Sequence, residues 1–202
     1  LFKKSSKKIE QQVLDSDTYK RLDNSRQDMI KGILDLHSQH ASDIMIPRVD
    51  VTSISIGQPL PEVVETIKKD GFSRFPVWKD KLDNIVGILY VKDVFFLMNS
   101  SKESCLVVNE QTISEEMLRQ PFFIPESKKV ESLLKEFQSR KVHLAVVVDE
   151  YGGFSGIVTL EDIIELITGD IQDEYDFETI NIQKITEKIY QIDARTALDE
   201  LE

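Results

Sequence analysis

Residues 147–169, VVDEYGGFSGIVTLEDIIELITG, decide the fold of this chain: they read as strand, turn, strand and helix. Val146, Val147 and Val148 close a β-branched run, and Asp149-Glu150-Tyr151-Gly152-Gly153 carries the residues that turns favour. Phe154 to Leu160 is a second strand. A helix opens at Thr159-Leu160-Glu161-Asp162 and stops at Gly169, where glycine can take a left-handed cap without steric cost. Thr159 and Asp162 stand three apart at that helix start, and the pair admits two readings. One is a capping box, in which the hydroxyl accepts a backbone N–H and the carboxylate reaches back to another. The other is a nucleotide site, with phosphate on the free N–H groups and the hydroxyl, and a ribose diol on the carboxylate. Taken alone, such a pair is far more often a cap, because every helix start has donors to satisfy.

Working outward, the pattern occurs twice. A helix starting at Ser127 turns Val130, Leu133, Leu134 and Phe137 inward, and these fall on Leu60, Val63, Val64 and Ile67 at an offset of 70 residues. His143-Leu144-Ala145-Val146-Val147 falls on Ser73-Arg74-Phe75-Pro76-Val77 at the same offset. After the turn the offset drops by one, so that Gly156 to Asp162 falls on Gly87 to Asp93. The chain therefore holds two β-α-β-β-α units, at residues 43–103 and 117–170. In the first, Pro47 forces an extended entry, Val51 to Ile56 alternates as a strand, and Pro59 and Pro61 flank a helix start. Gly71 ends that helix. Phe72 to Trp78 is extended, Lys79–Asn84 is a polar turn, Ile85 to Tyr90 a strand and Val91 to Met98 a helix. Each copy is too short to close a core comfortably alone. Packed sheet to sheet about a pseudo-twofold, the two bury both apolar faces, and their cleft gathers the two helix starts and the two extended segments.

The flanks are less patterned. Residues 1–42 form a tail and a helical segment, with Leu22, Met29, Ile30, Ile33, Leu34 and Leu36 at helical spacing between Asp17 and His40. Lys3, Lys4, Lys7 and Lys8 suit a solvated tail better than contact with an anionic membrane. His37 and His40 lack partners at metal-ligand spacing and read as surface residues. Residues 171–202 begin as an acidic linker; a solvated linker is favoured there over a hard-cation site. A strand from Ile185 to Ile192 and a helix start at Ala197–Leu201 then read as the opening of a further domain.

Composition narrows the function. A formal charge of −11 argues against nucleic-acid binding, which wants a basic face. Cys105 is the one cysteine, so no intrachain disulfide can form, and a reducing compartment is expected. No apolar run approaches the ~18–20 residues of a membrane helix, and no apolar stretch follows the basic start as in a signal peptide. Neither a nucleophile–base order, nor Cys/His ligand spacing, nor a phosphate loop is present, so an enzyme is not expected.

The repeat, with Gly-x-x-Thr-x-x-Asp in its second copy and Gly-x-x-Tyr-x-x-Asp in its first, resembles a tandem pair of CBS domains (a Bateman module). The similarity extends through Asp43–Arg48, Ser73–Val77, Val148–Gly153, Gly156–Asp162, Gly169–Ile171 and Asp173–Asp176, and these together resemble the CorC/HlyC family. Its members are named magnesium and cobalt efflux proteins, or hemolysin C and its relatives. The resemblance implies an α/β (α+β) fold of two packed CBS repeats behind an N-terminal helical segment. It implies a regulatory sensor of ATP or AMP, with or without Mg²⁺, acting on divalent-cation transport beside a membrane transport partner. The implied location is cytoplasmic, including the inner face of the plasma membrane. By position, Thr159 and Asp162 would hold phosphate and ribose. Ser73, Arg74 and Pro76 would line the adenine and phosphate side, with Ile46 at the entry. Tyr90 and Asp93 would form a weaker second site, since a phenol stands where the hydroxyl belongs. Arg74 also has a rationale of its own: a cation on an extended apolar strand suits a phosphate, and equally an exposed strand edge. The repeats would pair head to head through their helices as a homodimer. Flavin enters only by analogy with the C-terminal domain of family members. Two alternatives stand beside the sensor. One is a ligand-free dimerisation scaffold, for which the cap suffices. The other is a hemolysin-like membrane-active protein, for which no amphipathic helix stands out.

Overall fold

Alternating apolar residues in residues 144–159 do form the expected hairpin, and the first copy forms its counterpart. The computed structural model describes residues 12–100, 111–169, 182–186 and 189–192. The chain divides into two compact units, residues 1–169 and 170–202. The helices α1 (Asp17–Lys20), α2 (Asn24–Asp35) and α3 (Ala41–Ile44) lie before the short strand β1 (Ile46–Pro47). The first repeat then runs β2 (Ile54–Ser55), α4 (Leu60–Asp70), β3 (Arg74–Lys79), β4 (Lys81–Tyr90) and α5 (Val91–Ser100). The second runs β5 (Phe123–Pro125), α6 (Val130–Arg140), β6 (Leu144–Val148), β7 (Phe154–Thr159) and α7 (Leu160–Thr168). In the second unit, β8 (Ile182–Thr186) and β9 (Ile189–Ile192) form an antiparallel pair.

The repeats share one topology. β2 lies parallel to β3 and β3 antiparallel to β4, as β5 lies parallel to β6 and β6 antiparallel to β7. Phe75 pairs with Leu89 and Ala145 with Val158, so the drop of one residue in the repeat falls in the hairpin. The expected pair of packed repeats is thus what the chain forms. Both long helices end in the left-handed region, on Gly71 at φ 72° and on Lys141 at φ 56°.

Three apolar clusters hold the first unit together. Leu60, Val63, Ile67, Phe75, Val77 and Leu89 fill the first repeat, and Val130, Leu133, Phe137, Ala145, Val147 and Val158 fill the second. Between them Ile85 and Ile88 meet Leu144, Val146, Phe154 and Ile157. The two-residue period of a strand explains the division: on β6, Ala145 and Val147 face their own helices while Leu144 and Val146 face the other repeat.

The entry segments are exchanged between repeats. β1, at the start of the first repeat, pairs with β7 of the second, Ile46 opposite Ile157 and Pro47 opposite Gly156. Arg119, at the start of the second repeat, bridges to Ile88 on β4 of the first, each backbone N–H donating to the other's carbonyl. Gly156 and Gly87 permit these crossings. A Cβ on Gly156 would lie 2.2 Å from the Ile46 carbonyl oxygen, and one on Gly87 would lie 2.5 Å from Leu118 Cβ.

Several local expectations need correction. The strand expected over Val51–Ile56 shrinks to Ile54–Ser55, which pair with Val77 and Trp78 of β3. The turn expected over Lys79–Asn84 is far tighter: Lys79 pairs with Lys81 around Asp80, whose φ is 65°. The second repeat's first helix starts at Val130 rather than at Ser127, because Lys128 and Lys129 extend to meet Ala41 and His40. Two short strands stand where one was expected over Ile185–Ile192. The basic tail, Cys105, the acidic run and the Ala197–Leu201 helix lie outside the described residues.

Candidate functional site

Thr159 ends β7 with extended backbone and caps α7. Its hydroxyl accepts the Asp162 backbone N–H at 3.2 Å, and its own backbone N–H donates to Asp162 Oδ2 at 2.6 Å. The capping box is therefore complete. Burial pushes the Asp162 carboxyl above its ordinary range; hydrogen bonds from Thr159 oppose this, while the neighbouring Glu161 charge adds to it. Among the described residues no cation offsets that effect. The helix start thus presents a partly buried carboxylate, a hydroxyl and the N–H groups of a first turn.

The pseudo-twofold brings Arg74 to this place. Arg74 begins β3 opposite Tyr90, and its Nη1 lies 3.8 Å from Glu161 Oε1 across the repeat boundary. Its side chain is mostly enclosed, and its Nε is buried with no acceptor among the described residues. That is an unused donor on a cation. His143, the repeat mate of Ser73, also reaches Glu161, with Nδ1 3.9 Å from Oε1. Local sequence does not place His143 in the site, because its partner lies on another element. The repeat offset, which sets it on Ser73, was the signal that marks it.

The other expected residues divide between places. Ile46 enters on β1, two positions along β7 from Thr159 through its pairing with Ile157. Ser73 and Pro76 belong to the first repeat: the Ser73 carbonyl accepts the Val91 N–H at 3.1 Å, and buried Pro76 pairs with Ile88. Ser73, Arg74, Tyr90, Val91, Lys92 and Phe95 line a hollow of about 330 Å³. The cations Arg74, Lys92 and Arg119 all lie over the Tyr90 ring, at 5.4, 5.7 and 4.1 Å from its centroid. Asp93 is held by Arg119, through Nε at 2.9 Å and Nη2 at 3.0 Å. The two repeats thus differ: the first carries a carboxylate already paired, the second a carboxylate with no cation among the described residues.

His37 is exposed and contacts Glu131 at 3.1 Å, and the His40 side chain approaches Asp43 at 3.7 Å. Among the described residues no three His, Cys, Asp or Glu side chains are grouped to hold a metal ion, and no helix is long and apolar enough to cross a membrane.

The CBS domain family matches residues 41–100 and 111–169. Hemolysin C of Brachyspira hyodysenteriae is 40% identical over 194 residues, which cover 92% of this chain and 68% of that protein. Magnesium and cobalt efflux protein CorC of Escherichia coli (strain K12) is 38% identical over 93% of this chain and 62% of its own length. The chain thus spans about two thirds of these relatives. Among solved structures, the CBS domain of the bacterial CNNM/CorC family Mg²⁺ transporter in complex with ATP is 38% identical at a TM-score of 0.65. It covers 72% of this chain and 98% of that one.

Proposed function

The chain belongs to the CBS-domain family, as a CBS pair homologous to the CorC/HlyC magnesium and cobalt efflux proteins, and we propose that it is the adenine-nucleotide-sensing module of a divalent-cation transporter. One observation carries this reading: a homologous CBS domain of a Mg²⁺ transporter has been solved with ATP. In this chain the ligand sits at the start of α7. Phosphate oxygens take the Thr159 hydroxyl and the first-turn N–H groups, and the ribose diol donates to Asp162. Arg74 turns its idle Nε to the phosphates, Ile46 walls the base from the β1 side, and Ser73 and Pro76 shape the strand that carries Arg74. Mg²⁺ on the phosphates offsets the repulsion that Glu161 would exert on a bare triphosphate. Binding is converted to regulation through a dimer of modules and a membrane partner at the cytoplasmic face. Phe95 and Phe96 on α5 and Ile164 on α7 are exposed apolar side chains suited to the dimer contact.

The complete capping box supports a second reading, a scaffold that needs no ligand. Calorimetric titration with ATP and with AMP, each with and without Mg²⁺, separates the two. A saturable event that vanishes in Asp162→Ala is expected, and ligand at ~100 times its dissociation constant should add about 2.7 kcal/mol of stability. Absence of both heat and thermal shift at millimolar nucleotide would overturn the sensor and leave Thr159 and Asp162 as a cap.

A further inference from the structure

The pseudo-twofold sets Arg119 on Ile46. Ile46 pairs with Ile157, Arg119 with Ile88, and Ile157 and Ile88 are the same position of the two repeats. Each entry segment crosses a glycine, Gly156 or Gly87, and so delivers one side chain to the mouth of the other repeat's helix start. At the second repeat that side chain is apolar, and among the described residues no cation is paired with Asp162. At the first it is a guanidinium. Arg119 grips Asp93 with two N–H donors, at 2.9 and 3.0 Å, and lies with Cζ 4.1 Å from the centre of the Tyr90 ring.

Two donors on one carboxylate and a planar group on an aromatic face are also what a ribonucleoside offers: a vicinal diol and a base. Beside the pair lies a hollow of about 470 Å³ whose walls include Asp93, Val94, Ser114, Met117, Leu118 and Arg119. That volume falls in the range of small-molecule sites. We propose that Arg119 is an internal occupant of the first repeat's site, which mimics a nucleoside on Asp93 and Tyr90 and so confines binding to the second repeat. The inference rests on the reading of Asp162 as a ribose acceptor. The plug is displaceable: the Arg119 side chain is 48% exposed and that of Asp93 32%, so solvent and salt screen their attraction.

The test is calorimetric titration of adenosine and AMP into the full chain carrying Arg119→Ile, which copies Ile46, or Arg119→Gln, which removes the charge and keeps a polar side chain. Each is compared with the wild type, alone and combined with Asp162→Ala. One event per chain is expected for the wild type and two for both Arg119 variants. The added event should survive Asp162→Ala, disappear with Asp93→Ala, and fail with 2′-deoxyadenosine, which lacks the diol. One unchanged event in either folded Arg119 variant, its fold checked by circular dichroism, would overturn the plug while leaving the Asp162 reading intact. A silent wild type with a binding Arg119 variant would do the reverse, and silence throughout would overturn both.

Discussion

At Asp162 the balance of burial against hydrogen bonding has a measurable sign. Its carboxyl is raised by burial, with a further push from Glu161. A group raised in the folded state contributes stability that is complete below its unfolded value, here 3.8, and is lost as pH rises through the folded one. Asp162→Asn keeps an acceptor for the Thr159 N–H and removes the charge. It should therefore melt above the wild type at about pH 7 and lose that advantage as pH falls towards about 4; melting curves across this interval check the expectation. Thr159 and Asp162 were legible in the sequence because a cap is local, three residues apart on one turn. Arg119 was not. Its partner Asp93 is remote in the chain, and only the pairing of Arg119 with Ile88 brings them together. The idle Nε of Arg74 was equally hidden, since a cation on a strand reads the same whether or not an acceptor awaits it.

Among the elements, the hairpins and helices could be read because apolar periodicity and turn residues are properties of short windows. The extended entry at Pro47 was legible, but the pairing of the entry segments was not, because their partners belong to the opposite repeat. β1 is two residues long, too short for any alternation to announce it, and its place is set by the lack of a side chain on Gly156. Gly156→Ala is expected to push β1 off β7, since the new carbon would meet a backbone oxygen that cannot rotate away. Overpacking of this kind costs about 1–3 kcal/mol. Denaturant melts should report that loss, and titration should report weaker nucleotide binding, because Ile46 moves with β1. Gly32 makes a comparable approach to the backbone of Leu166, and it fixes how α2 rests on α7; nothing in its own neighbourhood of sequence marks it.

For the whole molecule, two repeats of one topology enclose a shared apolar layer, and exposed phenylalanines remain outside it. Phe96, 70% exposed, is expected to anchor the proposed dimer; if it does, Phe96→Glu should give a monomer by sedimentation while the melting curve of the fold stays sharp. The exchange of entry segments has a further consequence, for synthesis on the ribosome. The first repeat can assemble once residue 119 has emerged, whereas Ala41–Pro47 must wait for β7. At ~5–20 residues per second the interval is on the order of a few seconds. Throughout it an unpaired strand edge is offered to the surroundings. A neighbouring nascent chain of the same kind carries a matching β7, and could complete the sheet in its place, so that two chains interlock by trading their N-terminal segments.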